Sequence, residues 1–586
     1  MKRFQPFIPW VVALSLISFA LIHYESDLLW KVQQYNLFLD NAIFFHDRML
    51  VAGGLLSYAS CYFTQFFFYP WMGVLILCSW WLLLMWLTNR AFRIYDNWAV
   101  LALIPVALLL IANMHLGYWH YFMKLQGYFY VATIGTTAAV ALLWAFSMLP
   151  QKLWPRIAWI ILAAAIAYPI LGAYGLAAIL LMGVWNWRLS ASRKDNAVIS
   201  AVALLCIMAI PLIYYRYVYY QTNLELIWTT ALPTFNILKS YPFHYIPYYI
   251  LGGFYLLMTI FYQKSLPAKC KKPLFQKGTQ AILAVVLIIS VWHFWYKDSN
   301  FHRELAMQHC IENTDWEGVL AEGLKLGDEE PTRSISMMYQ LAQWRLGRQL
   351  DEMYSFTMGD KKPDTELPLN MLYHVSGRML YYQYGLLNDC HRICMEDGVE
   401  YGWHVEPLKY MARCSLLSGE TQAAKKILNL LCHTHYYGKW ADAMLKMIDT
   451  PQQIAETREM GPISHMMQYG SAISGNIGDV ENHILTVLAR QDSDDLYFAE
   501  QAVVATLWLK NERLFWPRLS QYIRLQPNSL PRIFQEAAYL FGKMENRSDL
   551  DQLPFDNSVK EAYNAFTESS FSPNYANTYF YYYYSK

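Results

Sequence analysis

Four carboxylates stand in the first polar stretch between apolar segments of this sequence: Glu25, Asp27, Asp40 and Asp47. A carboxylate in a cleft of low dielectric constant has a raised pKa and can act as a base, and carboxylate oxygens bind divalent cations. Glu25 and Asp27 are therefore the first candidates for catalysis, with Asp40 and Asp47 after them. The alternative is that all four are solvated residues of a loop.

Basic and imidazole side chains near the ends of apolar segments supply the complementary chemistry. Lys124 and Arg216 would neutralise the phosphate or pyrophosphate of a lipid carrier, the first as a point charge and the second through its fork of N–H donors. His120 and Arg48 are further candidates for substrate binding, because ionisable residues at the membrane edge are costly and often functional. The alternative is that such residues extend to lipid headgroups beside an aromatic belt.

The first half of the chain contains nine apolar segments of about the length that crosses a bilayer, for which a helix needs about 20 residues. They are 7–23, 71–89, 97–114, 126–149, 156–171, 173–188, 196–217, 246–263 and 279–296. Gly172 and Gly175 lie where two short segments meet and predict a tight helical hairpin. The sequence therefore predicts an all-α, polytopic transmembrane bundle of about nine spans over residues 1–297.

Lys and Arg are distributed unequally between the two sets of loops in this half. Fourteen lie in loops on the side of the N-terminus, and five lie in the opposite loops. The positive-inside rule places the side richer in Lys and Arg in the cytoplasm. We therefore expect a cytoplasmic N-terminus and a C-terminal domain on the outer side.

The first outer loop, residues 24–70, is the longest of the membrane half. Residues 27–39 place apolar side chains on one helical face, which predicts an amphipathic helix in the membrane interface. Residues 49–70 contain a glycine pair followed by a nearly uncharged aromatic run. This run predicts a re-entrant or an interfacial helix, and the sequence leaves both open.

One span, a long outer loop with carboxylates, further spans and an outer soluble domain follow one another along the chain. This order resembles the GT-C class of membrane glycosyltransferases over about residues 1–297. The resemblance implies a lipid-linked sugar as donor and a carboxylate just after the first span as base or metal ligand. Glu25 and Asp27 occupy that place, although the adjacent Asp-Glu pair of some members is absent and the sequence reads E-S-D.

A second resemblance rests on two longer runs of sequence. LFLDNAIFFHDRMLVAGGLLSYASCYFTQFFFYPW at residues 37–71 and TYFYYYY at residues 578–584 are similar to a family of bacterial polytopic inner-membrane proteins with a C-terminal helical-repeat domain. That family has no established activity to transfer. It implies a multi-pass protein of the bacterial inner (cytoplasmic) membrane with a periplasmic C-terminal domain.

From residue 298 the apolar pattern is helical and polar residues become frequent. Turn glycines such as Gly347, Gly385 and Gly419 follow apolar stretches at intervals of 38 and 34 residues, near the period of tetratricopeptide repeats. We expect a soluble α-solenoid of tetratricopeptide-like helix pairs over 298–570, whose concave surface binds a protein or a glycan. The aromatic tail 571–586 would cap the last repeat or lie against the membrane.

Cofactor motifs are scarce. Cys390 and Cys394 together with Cys432, His433 and His435 have ligand types for zinc, but their spacing is unusual and a small core residue is the simpler role for such Cys. No metal site is assigned, no cofactor is certain, and a divalent cation stays open. The net charge of +1 does not favour nucleic acid as a partner.

Two functions from different classes remain. The first is a transferase that takes a lipid-linked sugar at the outer face. The second is a non-enzymatic envelope scaffold whose repeat domain binds a periplasmic protein or glycan. The bilayer is a partner in both cases. A transporter is weaker, because no inverted repeat or paired broken helices are evident.

Overall fold

The computed structural model describes residues 7–94, 96–188, 192–219, 223–235, 242–262, 273–359, 361–367, 373–467, 479–550, 555–568 and 573–585. Seven basic residues of the topology argument lie outside these described residues: Lys2, Arg3, Lys239, Lys264, Lys269, Lys271 and Lys272. The described residues form α-helices, short 3-10 helices and two isolated β-bridges, without a strand. The predicted all-α class is confirmed for this part of the chain.

The chain divides into two compact units. Unit 1 comprises residues 1–297, 398–406 and 429–442, and unit 2 comprises residues 298–397, 407–428 and 443–586. Two short segments from the second half of the sequence thus belong to unit 1, which local sequence patterns did not indicate.

Residues 1–297 contain twelve α-helices in the described part. They are α1 Phe7–Tyr24, α2 Ser26–Gln34, α3 Ala42–Arg48, α4 Gly54–Thr64, α5 Pro70–Phe92, α6 Leu103–Met114, α7 Tyr128–Ser147, α8 Leu153–Leu171, α9 Ala173–Trp185, α10 Arg193–Tyr217, α11 Ile246–Phe261 and α12 Pro273–Phe294. A helix therefore lies at each of the nine apolar segments. Proline in the first turn starts α5 and α11, where its missing N–H costs no hydrogen bond.

Fewer of the described helices are long and apolar enough to span a membrane than the nine apolar segments predict. Within the described residues, α5, α7, α8, α10 and α12 are long and apolar enough to cross a bilayer. The chain bends by 77° between α1 and α2, and this pair adds a sixth candidate if it counts as one bent span. The helices α9 and α11 are shorter, with 13 and 16 residues.

The predicted hairpin at Gly172 is confirmed. Helix α8 ends at Leu171, α9 begins at Ala173, and Gly172 has a φ of 58°. A Cβ at Gly172 would lie 2.6 Å from the carbonyl oxygen of Thr230, so glycine is required both by the left-handed backbone and by this close approach.

Alternate connections between the helices meet at one end of unit 1, which we name the loop end. Backbone hydrogen bonds of 2.9–3.0 Å join Gly53 N to Pro169 O, Lys124 N to Thr234 O, Ala173 N to Thr230 O, and Tyr296 N to Met114 O. At the opposite end, the Arg156 guanidinium donates to Asn186 Oδ1, and Asn186 donates to Asn196. Successive long helices therefore alternate in direction.

The two helical stretches of the first outer loop differ from expectation. Helix α2 ends at Gln34 instead of Leu39, and it is buried on all sides from Leu28 to Gln34. The interfacial placement of this helix is therefore wrong, because Lys31 and Gln33 are buried and have partners inside unit 1. Residues 49–70 form α4 and a separate 3-10 helix, Gln65–Phe68, before α5 begins.

The remaining helices run from Ser299 to the C-terminal region. They are α13 Ser299–Glu312, α14 Trp316–Leu324, α15 Arg333–Arg345, α16 Gln349–Glu352, α17 Tyr373–Gln383, α18 Leu387–Tyr401, α19 Val405–Leu417, α20 Thr421–Cys432, α21 Gly438–Met447, α22 Gln452–Glu456, α23 Gly461–Met466, α24 Val480–Arg490, α25 Leu496–Trp508, α26 Glu512–Leu525, α27 Arg532–Met544, α28 Asn557–Glu568 and α29 Tyr579–Tyr584. The aromatic tail is part of the core of unit 2, where Tyr579 and Phe580 are fully buried beside α27.

Candidate functional site

The four candidate carboxylates lie in different environments. Glu25 is buried at the junction of α1 and α2, and its Oε1 accepts a hydrogen bond of 2.6 Å from Trp295 Nε1. Asp27 is half-buried in the first turn of α2. Asp40, shortly before α3, and Asp47, in the last turn of α3, are exposed. Glu25 is the one buried side chain among these four.

The cationic candidates do not converge on Glu25 through the contacts described for them. The ammonium group of Lys124 lies 3.0 Å from the carboxylate of Glu400, and both side chains are more than a third exposed. Arg216 is exposed in the last turn of α10. Arg48 donates to Gln126 Oε1 at 2.6 Å. Lys124 and Arg48 thus have partners inside unit 1 that neutralise or orient them.

His120 is buried and close to neutral aromatic groups. Its Nδ1 shares a hydrogen bond with the hydroxyl of Tyr128. Burial, with His115 and His244 nearby, lowers the pKa of His120 to about 3, and burial lowers the pKa of His244 to about 4. An imidazole with such a pKa is neutral at pH 7 and offers one donor and one acceptor. His120 therefore cannot supply positive charge to a phosphate.

The strongest charge interaction at the loop end was not predicted. Lys31 of α2 lies 2.6 Å from Oε1 of Glu406, and the two side chains are 4% and 5% exposed. The ammonium group is also 5.5 Å and 5.7 Å from the ring centres of Tyr35 and Tyr121. Two charges removed from water are held only when they are paired and hydrogen-bonded.

Glu406 belongs to residues 398–406, which with residues 429–442 form what we name the returning segments of unit 1. The first segment supplies Glu400 to Lys124, Glu406 to Lys31, and the carbonyl oxygen of Trp403 to Gln126 at 2.7 Å. Each of its three partners lies in residues 1–297, so this segment ties α2 to the turn before α7.

The second returning segment, 429–442, contacts the first outer loop. The hydroxyl of Tyr437 donates to Gln33 Oε1 at 2.5 Å, and Tyr436 stacks on Phe68 with ring centres 4.6 Å apart. The sequence offered only one signal for these contacts. Lys31 and Gln33 interrupt the apolar pattern of α2, as buried polar residues with distant partners do.

A family model described as "Family of unknown function (DUF6057)" matches residues 2–586. The chain belongs to this family. No curated protein and no solved structure matches it. The match spans unit 1 and unit 2 together, so this DUF6057 chain resembles its family over both units.

The metal-binding hypothesis has no structural support in the described part of this DUF6057 chain. No group of three or more His, Cys, Asp or Glu side chains there is arranged to hold a metal ion. Cys390 and Cys394 are fully buried in α18, and burial raises the pKa of the Cys390 thiol well above its usual value. A neutral buried thiol behaves as a small core residue.

Taken together, the loop end of unit 1 is a network of buried polar groups. Its buried lysine has an acid partner, its buried histidine is neutral, and its buried carboxylate accepts a hydrogen bond from an indole. Such an arrangement fixes the geometry of α2 and the turn before α7.

Proposed function

We propose that this protein is a multi-pass scaffold of the bacterial inner membrane. Unit 1 spans the bilayer about nine times with its basic end in the cytoplasm. Unit 2 is a periplasmic, tetratricopeptide-like helical-repeat domain that binds a partner protein or glycan. The observation that carries the proposal is the buried Lys31–Glu406 pair, because it uses the charges of the loop end to hold the chain together.

The alternation of helices in unit 1 supports the nine-span topology. A helix lies at each of the nine apolar segments, and alternate connections between them meet at the loop end. Arg90, Arg93, Lys152, Arg156 and Arg188 lie at or near helix ends away from it. This distribution is what the positive-inside rule expects of a protein with its loop end outside.

Neighbour-to-neighbour contacts support the repeat interpretation of unit 2. Helix α13 packs against α14, and α14 against α15; the same holds for α24, α25 and α26. In repeat proteins each helix pair buries its apolar face against the next one, which leaves an extended surface for a partner.

The scaffold proposal is tested by cross-linking in cells with an amine-reactive reagent and the full chain. The full chain is needed because the returning segments fold in unit 1. Lys325, Lys425, Lys426 and Lys446 are exposed in unit 2, and we expect one partner to be linked repeatedly to some of them. The matched control is Lys425→Arg with Lys426→Arg, which keeps the charge and removes the reactive amines.

Two readouts decide the outcome. A reproducible partner on unit 2 in a strain whose surface glycans do not depend on this chain supports the scaffold. Absence of any partner on unit 2, together with a glycan that is lost when the chain is deleted, would overturn it.

The burial of Glu25 favours a second candidate function, a GT-C-like transfer from a lipid-linked sugar. Glu25 directly follows the first helix, at the place of the GT-C carboxylate, and its side chain is inside unit 1. In this candidate Glu25 or Asp27 takes a proton from the acceptor hydroxyl or holds a divalent cation.

The Glu25→Gln variant removes the negative charge of the side chain and keeps its size. The amide oxygen keeps the acceptor for Trp295 Nε1, so folding is preserved while the basic carboxylate is lost. We expect loss of the glycan product for Glu25→Gln and no change for Glu225→Gln, a control at an exposed acid of unit 1. A wild-type glycan profile with normally folded Glu25→Gln and Asp27→Asn variants excludes the transferase.

A further inference from the structure

An apolar surface of the first outer loop lies open to the surroundings. On the short helix α3, Ile43 is 82% exposed and Phe45 is 42% exposed. Leu55 and Tyr62 of α4 are similarly exposed. We name these four residues the apolar face. A side chain as apolar as isoleucine is rarely presented so fully to water, because the cost scales with its apolar area.

The other side of α3 is firmly seated in unit 1. Phe44 is buried, and its ring centre lies 5.7 Å from that of Phe38. The side chain of Asn41 caps the helix by accepting from Phe44 N at 2.8 Å. Helix α3 is therefore held with Phe44 inward, and the outward direction of Ile43 and Phe45 is fixed.

A chain of aromatic contacts joins the apolar face to the start of α5. Tyr62 contacts Phe66, Phe66 contacts Tyr436, and Tyr436 contacts Tyr69, with ring centres 5.4–6.4 Å apart. Tyr69 and the following Trp71 are exposed, and aromatic side chains of this kind occupy the level of lipid headgroups. The apolar face is thus continuous with the outer surface of α5.

We propose that the apolar face lies in the boundary between headgroups and acyl chains of the bilayer, so that α3 is an interfacial, lipid-binding helix. The proposal rests on the proposed membrane span of α5, whose outward Leu75 continues the same surface toward the hydrocarbon. The exposed Asp40 precedes α3, the exposed Asp47 lies in its last turn, and both repel anionic headgroups. The lipid class that fits is therefore zwitterionic.

Photo-cross-linking of the full chain tests this placement. The protein is reconstituted in nanodiscs of phosphatidylethanolamine and phosphatidylcholine, with Ile43→p-benzoylphenylalanine as the probe. We expect a mass increase of one lipid on the peptide that contains residue 43. Phe45→p-benzoylphenylalanine repeats the test with an aromatic residue in place of an aromatic one. Leu324, exposed on α14 of unit 2, is the matched site where no lipid adduct is expected.

A probe at Leu75 distinguishes failure of the interfacial role of α3 from failure of the membrane span of α5. Lipid adducts at residues 43 and 75 support the proposal. An adduct at 75 without one at 43 or 45 overturns the interfacial role of α3 and leaves the span of α5 intact. An adduct between two protein chains at 43 assigns the apolar face to a protein interface and also overturns the proposal. Absence of lipid at both 43 and 75 contradicts the membrane span itself.

Discussion

Unit 1 and unit 2 both bury acidic and basic side chains, but they neutralise them in different ways. In unit 1 the ammonium group of Lys31 contacts the carboxylate of Glu406, 375 residues away in the chain. In unit 2, Glu312 lies 2.9 Å from Lys409 and 3.2 Å from Arg413, and Arg413 also pairs with Glu459. The second arrangement shares each charge among several partners.

The difference affects what happens when one member is removed. Burial alone would raise the pKa of Glu312, but Arg413 and Lys409 hold it well below its ordinary value. Arg413 still has Glu459 if Glu312 is lost. Removal of Glu406 takes away a carboxylate 2.6 Å from the buried Lys31 ammonium, which also lies beside the ring of Tyr35. We therefore expect the Lys31–Glu406 pair to be the more sensitive of the two.

The largest expected effect follows from breaking the Lys31–Glu406 pair. Lys31→Met leaves Glu406 buried without its ammonium partner, and a loss of this kind costs about 3–5 kcal/mol of stability. The measurement is the melting temperature of the purified full chain, followed by intrinsic fluorescence in detergent. Glu406→Leu should give a loss of similar size.

The double variant Lys31→Met with Glu406→Leu is the control, because it removes both charges. Replacing a buried ion pair by apolar side chains is neutral or stabilising by about 1–4 kcal/mol. The double variant should therefore melt above either single variant. A double variant as unstable as the singles would show that shape, and not charge balance, decides the stability of this contact.

A smaller effect is expected in the shared network. Glu312→Gln leaves Arg413 with Glu459 and takes a charged acceptor from Lys409, which costs about 2–3 kcal/mol. Hydrogen exchange should become faster in α13 and α19 and stay unchanged in α2. If exchange in α2 rises equally, the two buried sites are coupled and the comparison between them fails.

An acid whose pKa is raised by burial makes the stability of the fold fall as the pH rises. A paired acid whose pKa is lowered, such as Glu312, makes the stability rise with pH. Burial raises the pKa of Glu500 in α25 from 4.5 to about 7. Above pH 4.5 the unfolded chain releases this proton first, so the folded state binds more protons and stability falls until about pH 7. We expect Glu500→Gln to reduce this fall by about 1–2 kcal/mol.

Melting temperatures measured across that pH interval check the sign. Glu561→Gln, a change at an exposed acid of α28, is the matched control and should follow the wild type. A wild-type melting temperature that rises from pH 4.5 toward pH 7 more than that of Glu500→Gln would contradict the assigned direction.

Helix positions in unit 1 followed from the sequence because they depend on local information. The segment 173–188 became α9 because apolar residues run without a break after a glycine that turns the chain. The prediction of an interfacial helix over 27–39 was wrong because it, too, used only local information. The pattern of this segment resembles an amphipathic surface helix, but the polar positions Lys31 and Gln33 are satisfied by Glu406 and Tyr437, which no local pattern reveals.

The sequence named candidate residues and could not give their geometry. Residue type and a place near the end of an apolar segment selected Glu25 and His120, and both side chains are buried. Charge and pairing depend on the fold: the neutral state of His120 comes from burial, and Lys124 acquires Glu400 from a returning segment. Whether Glu25 transfers protons stays a prediction.

The smallest effect expected concerns that exposed pair. Lys124 and Glu400 join the same two parts of unit 1 as Lys31 and Glu406, but their side chains are 36% and 44% exposed. Water screens both charges, so Lys124→Ala should cost less than about 1 kcal/mol. The loss of melting temperature caused by Lys124→Ala should shrink as salt is added, whereas the loss caused by Lys31→Met should not, because salt screens exposed pairs and hardly reaches buried ones. A loss as large as that of Lys31→Met would mean that burial does not set the strength of these contacts.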